Sequence, residues 1–180
     1  GRLAGKASVT NRIGRIQTGD RGEWMLAQES GSAGIEGFQR WDPIQGWTRM
    51  SLRLPLPEQS LWVASPEGHA IASVTPTRQL HWIRAVPGVQ SLNAIPVESG
   101  VELIRWCPPP HHHLAVANTH HQVRILDVPN GKWLPLTFDH DRPLAALHFT
   151  ASGSELITAT QSGIIRSFKL TDGSPGGLIG

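Results

Sequence analysis

The 180-residue chain carries 16 Lys and Arg against 14 Asp and Glu, a formal charge of +2, too even a balance to mark a nucleic-acid arm or an acidic tail. Nineteen glycines and fourteen prolines exclude a helical bundle or coiled coil, while seven tryptophans supply core material that a disordered chain lacks. No apolar run exceeds four residues, which excludes a helical membrane span of about 20 residues.

Residues 1–10 read as a linker or the end of a preceding element. From residue 11 onward one layout recurs four times. The first copy, 11–52, holds the runs Gly22–Ala27 and Gly37–Asp42 and the turn Pro43–Gly46. The second, 53–95, holds Leu61–Val63, Ala70–Ser73, Leu80–Ile83 and the turn Val86–Gly88. The third, 96–138, holds Val101–Trp106, Leu114–Ala117, Gln122–Val128 and the turn Pro129–Gly131. In the fourth, 139–180, the runs are Leu144–Phe149, Glu155–Ala159 and Ile164–Leu170, with the turn Thr171–Gly173.

Two landmarks give the period. The turn glycines Gly46, Gly88, Gly131 and Gly173 lie 42, 43 and 42 residues apart, and Phe38, Leu80, Val123 and Ile165 repeat at the same intervals. Each copy consists of short runs bounded by turn residues, the pattern of strands. The second run of each copy is apolar at successive positions, so it is expected to be covered on both faces. Trp47 and Trp133 follow two of the turn glycines and are expected to start a fourth strand. A repeat of about 42 residues with four antiparallel strands predicts an all-β chain of β-propeller blades.

Trp41–Asp42 closes the third run of the first copy, and Leu126–Asp127 stands at the same place two copies later. With the period and layout, these residues resemble the WD-repeat β-propellers over roughly residues 11–176. That resemblance implies a hydrogen-bonded set of a His before the first strand, a Ser or Thr in the second, an Asp in the next turn and a Trp in the third. In the last copy His140 stands four residues before Leu144 and Thr158 or Thr160 offers a hydroxyl, but Ser162 holds the Asp position and Phe168 the Trp position. The implied structural residues are therefore Trp41, Asp42, Asp127 and His140, with Gly46, Gly88, Gly131 and Gly173 at the turns. Rings of this family usually have seven or eight blades, so the resemblance implies that further blades come from the same, longer chain or from a second chain, with an unusual four-bladed ring as the remaining alternative. Gly1 in place of Met fits a processed chain or a piece of a longer one.

Five of nine histidines fall within residues 111–121, which raises metal binding. The layout argues against it. His111 and His112 belong to one end of a blade and His120 and His121 to the other, a strand length apart. Neither a metal nor a cofactor is expected. His120, His121, Asp141 and Arg142, beside Asp139 and His140, form the candidate partner-binding surface. Cys107 follows Trp106 and precedes three prolines; a capped thiol at a strand end is expected rather than a nucleophile. The chain contains no G-x-S-x-G, phosphate-binding loop, G-x-G-x-x-G or C-x-x-C motif, so no enzymatic activity is expected.

The expected function is a non-catalytic protein–protein interaction scaffold, a subunit or domain of a larger complex, with loops as the binding elements. A regulatory or targeting propeller of a multidomain signalling NTPase or ribonucleoprotein component is the alternative, and a propeller enzyme with a channel site is a third. The expected partners are proteins, with nucleic acid reached only indirectly within a complex and no membrane. The lone cysteine points to a reducing compartment, the cytoplasm or alternatively the nucleus.

Overall fold

The computed structural model describes residues 12–19, 22–31, 34–42, 44, 46–50, 60–84, 92–98 and 100–178. The segment 1–10 and the turn glycine Gly88 lie outside the described residues. The fold is all-β. Among the described residues sixteen strands form four antiparallel four-stranded sheets, and there is no helix. Sheet 1 runs β1 (Arg12–Thr18), β2 (Met25–Gly31), β3 (Gly34–Asp42), β4 (Gly46–Met50). Sheet 2 runs β5 (Leu61–Ala64), β6 (Ala70–Val74), β7 (Gln79–Arg84), β8 (Leu92–Pro96). Sheet 3 runs β9 (Val101–Trp106), β10 (His113–Asn118), β11 (Gln122–Asp127), β12 (Lys132–Asp139). Sheet 4 runs β13 (Leu144–Phe149), β14 (Glu155–Thr160), β15 (Ile165–Lys169), β16 (Pro175–Leu178). Strand order follows chain order in every sheet, so each is an up-and-down meander of the blade type.

The chain falls into two compact units, Gly1–Thr77 with His81–Leu92, and Arg78–Leu80 with Asn93–Gly180. In the first, Trp24, Leu26, Phe38, Trp62, Ala64, Ile71 and Ile83 form one buried cluster. Phe38 meets Trp62 edge-on at 5.0 Å between centroids. The Trp62 indole N–H donates to Gln28 Oε1 at 2.5 Å, and Gln28 Nε2 donates to Ser30 Oγ at 2.9 Å. A buried amide is acceptable here because both of its ends are satisfied. Gln17 ties β1 to β5 like an extra peptide group. Its Nε2 donates to Trp62 O at 3.2 Å, while its Oε1 accepts from Ala64 N at 2.7 Å.

The second unit is built on the face that sheet 3 presents to sheet 4. Register places Leu103, Ala117, Val123 and Phe138 in one row across sheet 3, and Ala115 beside Ile125 in the next. Leu144, Leu147, Phe149 and Leu156 of sheet 4 join them in a single cluster. Phe138 and Phe168 meet with centroids 4.6 Å apart. Small residues in the middle of sheet 3 leave room for the large ones of sheet 4, and each fully buried Val, Leu, Ile or Phe contributes about 1.5–3 kcal/mol. First strands β9 and β13 run beside each other, with Arg105 Nη2 3.4 Å from His148 Nε2.

The expectation of second strands covered on both faces holds for β10, whose Leu114–Ala117 are all buried, and for β6 over Ile71–Val74. It does not hold for β14, where burial alternates. Ile157, Ala159 and Ile165 of sheet 4 stand 42 residues after Ala115, Ala117 and Val123. The earlier three are fully buried, whereas Ile157 and Ala159 are half-buried and Ile165 is 37% exposed. The reason is physical: that face of sheet 3 lies under sheet 4, and only another stacked sheet could close the same face of sheet 4.

The turns that begin at Ser65, Thr150 and Thr160 are built to one plan. Thr150 O accepts from Gly153 N at 2.8 Å, Thr150 N donates to Glu155 O at 3.0 Å, and Thr150 Oγ1 accepts from Glu155 N at 3.2 Å. Ser65 and Thr160 repeat these bonds in their own turns. The fourth turn residue is left-handed, with φ +70° at Gly153 and +87° at Gly163. A Cβ on Gly153 would lie 2.8 Å from Cys107 Sγ and from His111 Cδ2, whereas one on Gly163 would meet nothing within 4 Å. Gly163→Ala should therefore cost only the backbone strain, about 1 kcal/mol, and Gly153→Ala about 2–3 kcal/mol through strain plus overpacking. Urea denaturation of the two variants measures the difference, and equal losses would refute the close approach.

Candidate partner-binding corner

Three segments of the second unit meet at one end of sheets 3 and 4: the β10–β11 turn, the β12–β13 connection and the β14–β15 turn. Asn118 organises the first. Its Oδ1 accepts from His120 N at 3.0 Å and Gln122 N at 3.1 Å, and its carbonyl accepts from His121 N at 3.0 Å. His121 O then accepts from His140 N at 3.0 Å, and Gln122 Nε2 donates to Asp139 Oδ1 at 2.8 Å. Gln161 N donates to Pro143 O at 2.8 Å, fastening the third segment.

The corner thus brings together the residues singled out in the sequence. His120, Asp139, Asp141 and Arg142 are exposed, His121 is half-buried and His140 is buried. Exposed charges of both signs and an imidazole, held by a fixed backbone frame, can offer and accept hydrogen bonds. His121 has φ +62°, a left-handed conformation uncommon for a residue with a side chain.

His140 does not play the hydrogen-bonding role expected of it. Its ring packs edge-on against Phe168, centroids 5.7 Å apart, and neither ring nitrogen has a partner. Thr158 Oγ1 is also buried without a partner. Thr160 Oγ1 has turned instead to Ser162 Oγ at 2.9 Å and to the backbone of Ile164. Position 168 holds a phenylalanine in place of an indole donor and position 162 a serine in place of a carboxylate, and neither Asp139 nor Asp141 bonds the ring, so the histidine is held by packing. Burial lowers its pKa below the ordinary value; Arg166 lowers it further, Asp139 and Asp141 raise it, and His121 lowers it slightly.

The other expected structural residues are dispersed. Half-buried Trp41 lies opposite Met25 and Trp47 in sheet 1. Asp42 pairs with Gly46 at the end of the β3–β4 hairpin; the side chains of Asp42 and Trp47 lie outside what is described. Asp127 caps the β11–β12 turn, accepting from Asn130 N at 3.3 Å and Asn130 Nδ2 at 2.7 Å. Gly131 and Gly173 have φ +61° and +74°, as their turn positions require.

At the opposite end of sheet 3, exposed His111 stacks on His113 at 5.9 Å. The six-residue β10 separates this pair from His120 by about 17–20 Å. Among the described residues no group of three His, Cys, Asp or Glu is placed to hold a metal ion. Cys107 is buried, its Sγ 3.6 Å from Gly153 O. Burial pushes its thiol up to about 11, so at neutral pH it is not the thiolate that nucleophilic chemistry needs.

Sequence reasoning passed over Asn118 and Gln122, which organise the corner. A signal existed: Thr75, Asn118 and Thr160 recur at 43 and 42 residues, as do Arg78, His121 and Gly163. The last three share φ values of +60°, +62° and +87°. No protein-family model matches this chain, and no curated protein matches it.

Because His121 occupies a position that glycine fills in the next sheet, His121→Gly should relieve a left-handed strain of about 1–2 kcal/mol. Glycine's greater unfolded-state freedom takes back roughly half of that. The expected net gain is up to about 1 kcal/mol, read as a raised denaturation midpoint. A loss would show that the His121 side chain itself holds the turn.

Proposed function

We propose that this chain is a WD-type propeller region acting as a non-catalytic protein–protein interaction scaffold within a larger complex. The observation that carries the reading is the corner at the ends of sheets 3 and 4. There, exposed His120, Asp141 and Arg142 sit on backbone fixed by the His140 N–H to His121 O bond and the Gln122–Asp139 bond. Rigid scaffolds with polar loops are where binding residues concentrate. The four blade-like sheets support the architecture, and the half-open face of sheet 4 around Ile157, Ala159 and Ile165 supports the supply of further blades by a longer chain or a second one. The raised Cys107 thiol supports a non-catalytic role. Protein partners in the cytoplasm or nucleus complete the proposal.

A variant with His120→Ala, Asp141→Ala and Arg142→Ala changes only exposed side chains, so its melting temperature should stay within about 2 °C of the parent. Quantitative affinity purification of the intact protein should then lose its partners. An unchanged set of partners would sink the assignment to this corner.

The WD resemblance has its own test. On the WD plan an indole at position 168 reaches the second-strand hydroxyl, here Thr158, and a carboxylate at 162 accepts from the histidine, here His140. The double change Ser162→Asp, Phe168→Trp should therefore stabilise the chain by about 1 kcal/mol. A thermal melt that falls instead would show that the last sheet is not laid out on the WD plan.

A further inference from the structure

We propose that His140 is a pH-sensitive latch: its neutral ring, seated against Phe168, holds the β10–β11 turn to the β12–β13 connection, and on protonation the ring leaves its pocket and opens this corner. The seat is apolar. The residue is 7% exposed, beside Phe168, with both ring nitrogens unpartnered. A neutral imidazole can remain there at the cost of unmet hydrogen bonds, but an imidazolium without a partner cannot.

The groups facing the ring set the direction of movement. Arg166 approaches from β15 and His121 from the β10–β11 turn, and both oppose a positive charge on the ring; Asp139 and Asp141, on the histidine's own segment, favour one. Both carboxylates belong to solvent-exposed residues. Burial and Arg166 disfavour a charged ring in its seat, so a charged ring gains by leaving the apolar contact with Phe168 for water. The backbone of His140 carries the N–H that reaches His121 O, so displacement of the segment strains or breaks the bond that joins the two loops. His121, already left-handed at φ +62°, is freed on the other side. A switch needs one charge change and one element that it biases; here the charge change is on the His140 ring and the element is the junction closed by the His140 N–H to His121 O bond.

The sign follows from burial. The folded-state pKa lies below the unfolded value of about 6.5, so the latch is fully closed above that pH and is lost as pH falls below it toward the folded value. The readout is the corner itself, so it stands apart from whether a protein docks there.

Hydrogen–deuterium exchange on the full chain, corrected for the intrinsic pH dependence of exchange, tests it. Peptides spanning 118–123 and 138–143 should lose about tenfold or more protection between pH 7.5 and pH 5.0, while those from β9 and β10 change little. His140→Phe keeps the ring packing and removes the titration, so its corner should be equally protected at both pH values. His121→Asn, whose side chain tolerates the left-handed turn, should keep the wild-type response. Unchanged corner protection in the wild type, or a response that survives in His140→Phe, overturns the latch. Should His140→Phe not fold, NMR titration of the wild-type His140 ring decides: a midpoint below about 6.5 that coincides with the loss of corner protection supports the latch, and a midpoint at or above that value, or one separate from that loss, overturns it.

Discussion

The structure depends on strands that have no wet face. Leu114–Ala117 of β10 are buried on both sides of their sheet, and a strand of that kind is stable only between two layers. Its hydrogen bonds to β9 and β11 satisfy the backbone, but its side chains demand a second sheet on each face. Sheet 4 supplies one of them with Leu147, Phe149 and Leu156. Within the second unit the 42-residue repeat is thus a packing requirement written into the chain: sheet 4 covers one face of sheet 3, and the outer face of sheet 4 stays half-open.

Stacking of this sort leaves the turns to fix how the strands enter each sheet. The same capped turn recurs at Ser65, Asn118, Thr150 and Thr160, with a side-chain oxygen accepting the N–H of the residue that opens the following strand, or at Thr160 the one just before it, and a left-handed residue at the fourth position. Glycine takes that position without strain. Where Gly153 does so, the absence of a side chain also admits Cys107 and His111, so one residue serves both the turn and the packing of two sheets. Arg78 and His121 take the same conformation with a side chain present. Strain of this kind persists only where the surroundings over-determine the backbone. At His121 those surroundings are Asn118 on one side and His140 on the other.

Much of this was legible in the sequence because it is periodic. Spacing alone placed the third and fourth sheets, the positive φ of Gly131 and Gly173, and the meeting of His121 with His140. The closing of β14 on one face only was not legible, since Leu156–Ala159 and Leu114–Ala117 are alike in composition and differ in what stacks on them. Nor was the state of His140. A sequence shows which residue types stand at the positions of a hydrogen-bonded set, but not that Thr160 prefers Ser162 and leaves Thr158 alone. Asn118 was missed because an Asn at a strand end looks like any turn residue until its alignment with Thr75 and Thr160 is drawn.

The corner also shows how packing and polarity trade against each other. Two buried groups, the His140 ring and Thr158 Oγ1, go without hydrogen bonds, and each such group costs about 1–3 kcal/mol. Against this stand the ring contacts of His140 with Phe168 and of Phe168 with Phe138, worth about 0.5–1.5 kcal/mol each beyond the area they bury. The aromatic contacts offset the orphaned groups in part but not with a margin, so the deep rows of Ala115, Val123 and Phe149 must hold the sheets together while the corner stays close to balance. A region near balance on a rigid support is one that a single added charge can move. The candidate surface is therefore also the place where the His140 ring and Thr158 Oγ1 go without hydrogen bonds, with Ser162 turned to Thr160 and Phe168 packed on the ring.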